Sequence, residues 1–376
     1  MEVVHVVDSL AATGGAENRL VDEIEALAAR GGIDQKVVRL YARDALQPRL
    51  EAAGVPVVAL GFDAARAGRT WPLAARKLWA AWRERRPDVV HTSLFSANLV
   101  GQLAARPLRI PVVSSFNRTG DLTLQRSLQP GVAGWRGRTM QAVARTVARR
   151  GDVHYRAVSA YARDTNCALM RFPPERVTVV PRGIDFASLP APAPRSTWGL
   201  PDGVPLVVNV ARLVPEKAQH LLVDAFAAAR RDLPRAVLAI VGSPGAAEPD
   251  VKAAIERHGL GDAVRLLGFR DDARALVAAA DVFAFSSLSE GSPGAVLEAL
   301  ALGTPVAAFD IPPVRELTEA GRHARLAPVG DTDVLGAAIV AAYTCPRRED
   351  TREWARRYDL AAVADQLAAL LASRVR

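Results

Sequence analysis

Apolar residues in this chain come in short unbroken runs, separated by turn residues and by stretches of helical periodicity. In the first half the runs fall at 2–8 (EVVHVVD), 36–41 (KVVRLY), 55–60 (VPVVAL), 88–93 (DVVHTS), 110–116 (IPVVSSF) and 154–159 (HYRAVS), and 177–185 (VTVVPRGID) closes the series. Runs this short and this apolar predict strands buried on both faces. The amphipathic stretches between them predict helices, such as 16–30 (AENRLVDEIEALAAR), closed by Gly31 and Gly32. Strands alternating with helices imply a parallel sheet with right-handed crossovers. A proline-dense stretch, 188–197 (SLPAPAPRST), interrupts the alternation. It then restarts at 205–211, 236–242, 263–269, 281–287, 304–310 and 324–328. The pattern predicts two doubly wound α/β domains, residues 1–187 and 199–354, joined by a linker at 188–198. The final stretch reads as helical, and its last helix, 355–376, is expected to return to the first domain. Ligands of such sheets bind beyond the carboxyl ends of the strands, so the expected site is a cleft between the domains.

Composition narrows the class. Half of the 376 residues are hydrophobic and 23% are charged, which supports two cores and argues against disorder. The formal net charge of +8 favours anionic partners: nucleic acid, a membrane surface or phosphate-bearing small molecules. Aromatics are only 6% and no separate Lys/Arg block exists, so nucleic acid is not expected. Cys167 and Cys345 are isolated and lack metal-ligand spacing, which suggests a reducing compartment. The segment MEVVHVVDSL has no basic n-region, and no uncharged apolar run reaches the ~18 residues of a membrane span. A soluble, cytoplasmic protein is the expectation.

Candidate chemistry concentrates in 287–310, SLSEGSPGAVLEALALGTPVAAFD. Ser292 and Pro293 fit the N-cap and first position of a helix. Glu290 then lies just outside the helix mouth and Glu298 inside the helix. The free N–H groups of Gly294, Ala295 and Val296 would form an anion site between the two carboxylates. Carboxylates beside a phosphate cradle are good acceptors for sugar hydroxyls, and a nucleotide sugar has that layout. The plainer alternative makes Glu290 a loop charge and Glu298 a solvent-facing helix residue. Arg212 and Lys217, after the strand at 205–211, could neutralise a departing diphosphate or simply stand in a solvated loop. Gly14 and Gly15 form a turn after the first strand but not the GxGxxG fingerprint. Phe269 and Arg270 could face a planar base, or Phe269 could belong to the core.

Taken in order, these motifs resemble the family-4 glycosyltransferases of the GT-B fold. The resemblance rests on Glu, seven residues, Glu at Glu290 and Glu298, continuing as EALALGTPVAA. It also rests on GGAE at 14–17, VARLVPEK at 210–217, LGFRDD at 267–272, the stretch 88–106 and PRGID at 181–185. It spans nearly the whole chain and implies two Rossmann-like domains facing across a cleft. It further implies transfer of a sugar from a nucleoside-diphosphate sugar to an acceptor hydroxyl, with retention of configuration. A uridine diphosphate donor is favoured by this resemblance and a guanosine one stays open. The acceptor could be a lipid, a glycan or a small natural product. No cofactor and no metal are implied. By the same resemblance Glu298 holds the ribose, Glu290 the donor sugar, and Arg212 with Lys217 the diphosphate. Gly14 and Gly15 let the first domain approach the donor, and Phe269 with Arg270 meets the base. The family's reaction is a front-face substitution through an oxocarbenium-like state, the leaving phosphate taking the acceptor's proton, unlike two-carboxylate hydrolysis.

Four segments depart from the family pattern. Asn117 and Arg118 stand where many members carry a histidine. Ala218 replaces the glycine after the lysine, a small change. Arg182 replaces an asparagine, and Asp310, Ile311, Pro312 and Pro313 replace a glycine-rich turn. Alternative functions are another nucleotide-sugar enzyme of this fold such as an epimerase, or a non-catalytic nucleotide-sugar or nucleic-acid binder. Asp331 and Asp333 spell DxD, but an acidic N-cap explains them better. His91 reads as an acceptor-side residue, a base, or a structural histidine, whereas His5 reads as packing. The basic helix pattern at 135–150, with Met140, Val143 and Val147 on one face, offers peripheral membrane contact or an ordinary sheet-packing face.

Overall fold

The structure is a computed structural model that describes residues 1–12, 15–119, 142–148, 152–345, 347 and 349–375. The chain divides into two compact units, Met1–Gly183 with Leu360–Arg376, and Ile184–Asp359.

The first unit holds a seven-stranded parallel sheet. Its strands are β1 (Glu2–Val7), β2 (Asp34–Tyr41), β3 (Val57–Phe62), β4 (Val89–Ser93), β5 (Val112–Phe116), β6 (Val153–Ala157) and β7 (Val177–Val179), in the order β3-β2-β1-β4-β5-β6-β7. β3 begins later than its apolar run because Pro56 has no N–H for the ladder. The alternation of side chains is clear on β1. Val4 and Val6 pack with Ala74, Leu78 and Val100, while Val3 packs with Leu27 and Leu367 of the opposite helical layer. Burial on both faces explains why the strands read as continuous apolar runs.

The second unit holds six parallel strands, β8 (Leu206–Val210), β9 (Val237–Val241), β10 (Val264–Gly268), β11 (Val282–Phe285), β12 (Val306–Phe309) and β13 (Arg325–Ala327), in the order β10-β9-β8-β11-β12-β13. One face packs Val208 with Leu276, Val296 and Leu300; the other packs Val207 with Leu222, Phe226 and Ile339.

The junctions differ from the sequence reading. Residues 184–200 are built into the second unit, since Ile184, Trp198 and Leu200 are buried in its core. The helical stretch at the end is split. Glu349–Ala355 stays with the second unit, where Ala355 is buried, and Leu360–Ala372 packs against Val3, Val89 and Val113 of the first. Gly183 allows the passage of the chain beside Leu360, because a Cβ there would sit 2.8 Å from the Leu360 Cα.

Candidate active site

In the second sheet the strand order reverses between β8 and β11, the position where open α/β sheets bind ligands. The segments leaving these two strands are fastened together. Leu288 N–H donates to the Glu216 carbonyl at 2.9 Å, and Ser286 Oγ donates to the Lys217 carbonyl at 2.9 Å. Lys217 Nζ is ion-paired with Glu290 Oε1, with the two side chains 18% and 14% exposed. Burial to that degree rules out Glu290 as a free loop charge.

Local backbone chemistry sets the position of Lys217. Pro215–Lys217 forms a single 3₁₀ turn, and Ala218 follows in the left-handed region with φ 47° and ψ 42°. Replacement of the family's glycine by Ala218 is therefore not neutral. An L-residue in this region costs about 1–2 kcal/mol, and Ala218 is fully buried there. Arg212 is held from the side by the loop after β9. Leu213 N–H donates to the Ser243 carbonyl at 3.1 Å, and Ala247 N–H to the Leu213 carbonyl at 3.0 Å. The two loops approach so closely that a Cβ on Gly245 would lie 2.3 Å from the Leu213 carbonyl oxygen, and one on Gly242 1.9 Å from that of Ala211. The Arg212 side chain itself is exposed.

The helix Gly294–Ala301 starts one residue later than the sequence suggested. Pro293, not Ser292, occupies the N-cap, with φ −79° and ψ 89°, and no side chain caps the mouth. The first intrahelical bond runs from Leu297 N–H to the Pro293 carbonyl at 3.1 Å. The N–H groups of Gly294, Ala295 and Val296 thus form the first turn, where helices leave donors for an anion. Glu298 lies one turn further in. Its Oε1 accepts from Arg274 Nε at 3.0 Å, and the Glu298 side chain is only 16% exposed, so it does not face solvent freely.

The loop after β10 carries Phe269, which is 53% exposed and so outside the core. Arg270 is held in a plane by both carboxylate oxygens of Asp272, at 2.7 and 2.9 Å, and Asp272 also accepts from Trp198 Nε1 at 2.9 Å. The Arg270 guanidinium holds the Asp272 carboxyl down at about 2.

In the first unit Gly14 lies outside the described residues. Gly15 opens the helix Gly15–Arg30, is exposed, and its carbonyl accepts from Arg182 Nη1 at 3.4 Å. His91 does not line an open surface. It sits within β4, 1% exposed, between His5 (Nδ1 to Nδ1, 3.0 Å) and Ser115 Oγ (3.0 Å from Nε2). Gln35 Oε1 can only accept from His5 Nε2, so His91 Nδ1–H donates to His5 Nδ1 and His91 Nε2 accepts from Ser115. Burial, with His5 and Arg156 nearby, holds His91 well below the usual histidine range and unsuits it as a base in an open acceptor site. Asn117 Nδ2 donates to Ser93 Oγ at 2.8 Å at the carboxyl edge of β4 and β5, and the neighbouring Arg118 is exposed.

Three residues that position candidate segments within their own units escaped the sequence reading. Arg274 and the close-packed Gly245 are visible only once the elements are assembled. Asp8 follows β1 and accepts from the Ala97 N–H at 2.6 Å, capping the helix Phe95–Ala105, and burial pushes its carboxyl up to about 6. Its one sequence signal is a carboxylate directly after an apolar run. Elsewhere, Asp331 caps the helix Thr332–Tyr343 through Val334 N–H at 3.0 Å. Of the stretch 135–150 only 142–148 is described, with Val147 buried and Val143 exposed. Among the described residues no three His, Cys, Asp or Glu form a group able to hold a metal, and no helix is long and apolar enough to cross a membrane.

Two parallel sheets with flanking helices, each with a reversal point, are the architecture of the GT-B fold. Known families match both halves: "Glycosyltransferase Family 4" over residues 13–188 and "Glycosyl transferases group 1" over 192–358. The chain belongs to this family of glycosyltransferases. It is 33% identical over 248 residues to a D-inositol 3-phosphate glycosyltransferase of Kineococcus radiotolerans, covering 60% of this chain and 54% of that one. It is 29% identical to a phosphatidyl-myo-inositol mannosyltransferase of Mycobacterium leprae, over 74% of this chain and 72% of the relative. Among solved structures, Anabaena Alr3699/HepE in complex with UDP superposes with a TM-score of 0.81 and 26% identity, covering 99% of this chain and all of that one.

Proposed function

We propose that the chain transfers a sugar from a nucleoside-diphosphate sugar to an acceptor hydroxyl, with retention of configuration and without a metal. The observation that carries this reading is the pairing of Lys217 with Glu290 at the reversal point of the second sheet, one segment away from the uncapped helix mouth. Glu298 accepts from the ribose hydroxyls, the N–H groups of Gly294, Ala295 and Val296 receive phosphate, and Glu290 faces the donor sugar. Lys217 and Arg212 neutralise the diphosphate as the bond to the sugar breaks, which supplies the charge stabilisation that a metal would otherwise give. Phe269 with Arg270 meets the donor's base. The departing phosphate takes the acceptor's proton. The UDP bound to Alr3699/HepE supports a uridine donor here. Inositol-linked acceptors of the relatives support a hydroxylated ring as acceptor, free or on a lipid.

The test is thermal stability of the protein in EDTA against UDP, GDP, ADP and dTDP. A ligand at 100 times its Kd adds about 2.7 kcal/mol, a shift of a few degrees. A base-selective rise supports the reading, and no rise with any nucleotide overturns it.

A further inference from the structure

We propose that Arg274 is a positioning residue for the nucleoside: it holds the Glu298 carboxylate against the ribose hydroxyls and couples that carboxylate to the loop that meets the base. This rests on the donor site proposed above. Arg274 Nε donates to Glu298 Oε1 at 3.0 Å, joining the helix Ala273–Ala279 to the helix Gly294–Ala301. A glutamate on a helix flank samples several rotamers, and a charge-assisted bond from an arginine restricts them. Arg274 sits two residues after Asp272, which clamps Arg270 with both oxygens and accepts from Trp198 Nε1. The short segment 269–274 therefore carries an exposed aromatic ring at one end and the ribose carboxylate's anchor at the other, with a rigid pair between. Phe269 is 53% exposed, whereas Glu298 is 16% exposed, so the ring is available to stack while the carboxylate is held. A mere surface pair would leave recognition of the ribose unaffected.

The experiment is calorimetric titration of the whole protein with UDP and 2′,3′-dideoxy-UDP, with the GDP pair in parallel, for the wild type, Glu298→Gln, Arg274→Ala and Arg274→Lys. Charge-assisted hydrogen bonds to the ribose should give the wild type a preference of roughly ten- to a hundredfold for the ribonucleotide. Arg274→Ala should lower that preference about tenfold while leaving dideoxynucleotide affinity unchanged, and Arg274→Lys should restore part of it. Donor KM should rise in step, with kcat little changed. If Glu298→Gln abolishes the preference and Arg274→Ala does not, the positioning role is overturned. Equal loss for both nucleotides in Arg274→Ala would mark a scaffold role and also overturn it. Failure of the wild type to bind any of the four nucleotides overturns the donor site itself, and this inference with it.

Discussion

Lys217 and Glu290, 73 positions apart in the chain, are ion-paired where the second sheet reverses its strand order. The pair binds the segment leaving β8 to the segment leaving β11. It places the cation proposed for the diphosphate directly against the carboxylate proposed for the sugar. The two residues act as one unit, so changing either should alter more than its own contact.

Glu290→Gln keeps the shape and a hydrogen bond to Lys217 but removes the charge proposed to face the sugar. Turnover should fall about 10²–10³-fold, the scale of one lost electrostatic stabiliser. Donor KM should change much less, because the interaction strengthens in the transition state. Initial rates of nucleoside-diphosphate release check this, and wild-type turnover would refute the role of Glu290.

Gly245→Ala forces a methyl group to within 2.3 Å of the Leu213 carbonyl oxygen, which is backbone and cannot rotate away. The loop carrying Arg212 must shift. Overpacking of this kind should cost about 1–3 kcal/mol and lower affinity for the nucleoside diphosphate as well. Urea denaturation measures the first effect and titration with UDP the second.

Ala218→Gly should stabilise the protein. Ala218 occupies φ 47°, where glycine has no steric penalty, against which stands the extra freedom of glycine in the unfolded chain. A net gain of about 1 kcal/mol, or roughly 2–4 °C for a unit of this size, is expected by scanning calorimetry. A lowered Tm would show that the buried methyl group contributes more than the strain removes.

Burial shifts two groups of the first unit in opposite directions. Burial lowers His5 to about 4, so between that value and its ordinary 6.5 the unfolded chain binds more protons. The stability from neutral His5 is complete above 6.5 and is lost as pH falls toward 4, on the order of 3 kcal/mol. Asp8 is raised to about 6 by burial, so its cost is relieved over much the same range as its carboxylate takes up a proton. Asp8→Asn keeps an acceptor for Ala97 N–H and removes the compensation. Urea unfolding at pH 7 and pH 4.5 should show a steeper acid loss in Asp8→Asn than in the wild type.

Much of the fold was legible because parallel strands buried on both faces must be largely apolar, as in VLAIV at 237–241 and VFAF at 282–285. The two glutamates were legible from their spacing around a glycine- and proline-containing turn. His91 was not, because a histidine on a buried strand and one at its open edge look alike in sequence. Only its register beside His5 reveals the buried pair. The proline-dense stretch misled for a related reason. Its composition suggests a linker, but Trp198 at its end is buried in the second core, as is Ile184 just before it.

By itself the sequence determined the two series of strands, the approximate position of the helix that carries Glu298, and the residue types of the candidate site. These follow from local preference and burial, which act over a few residues at a time. Tertiary structure alone decided that Lys217 meets Glu290, that Arg274 holds Glu298, that Gly242 and Gly245 must lack side chains, and that His91 is buried. Each of these depends on which strands become neighbours, so no local stretch of the chain contains it.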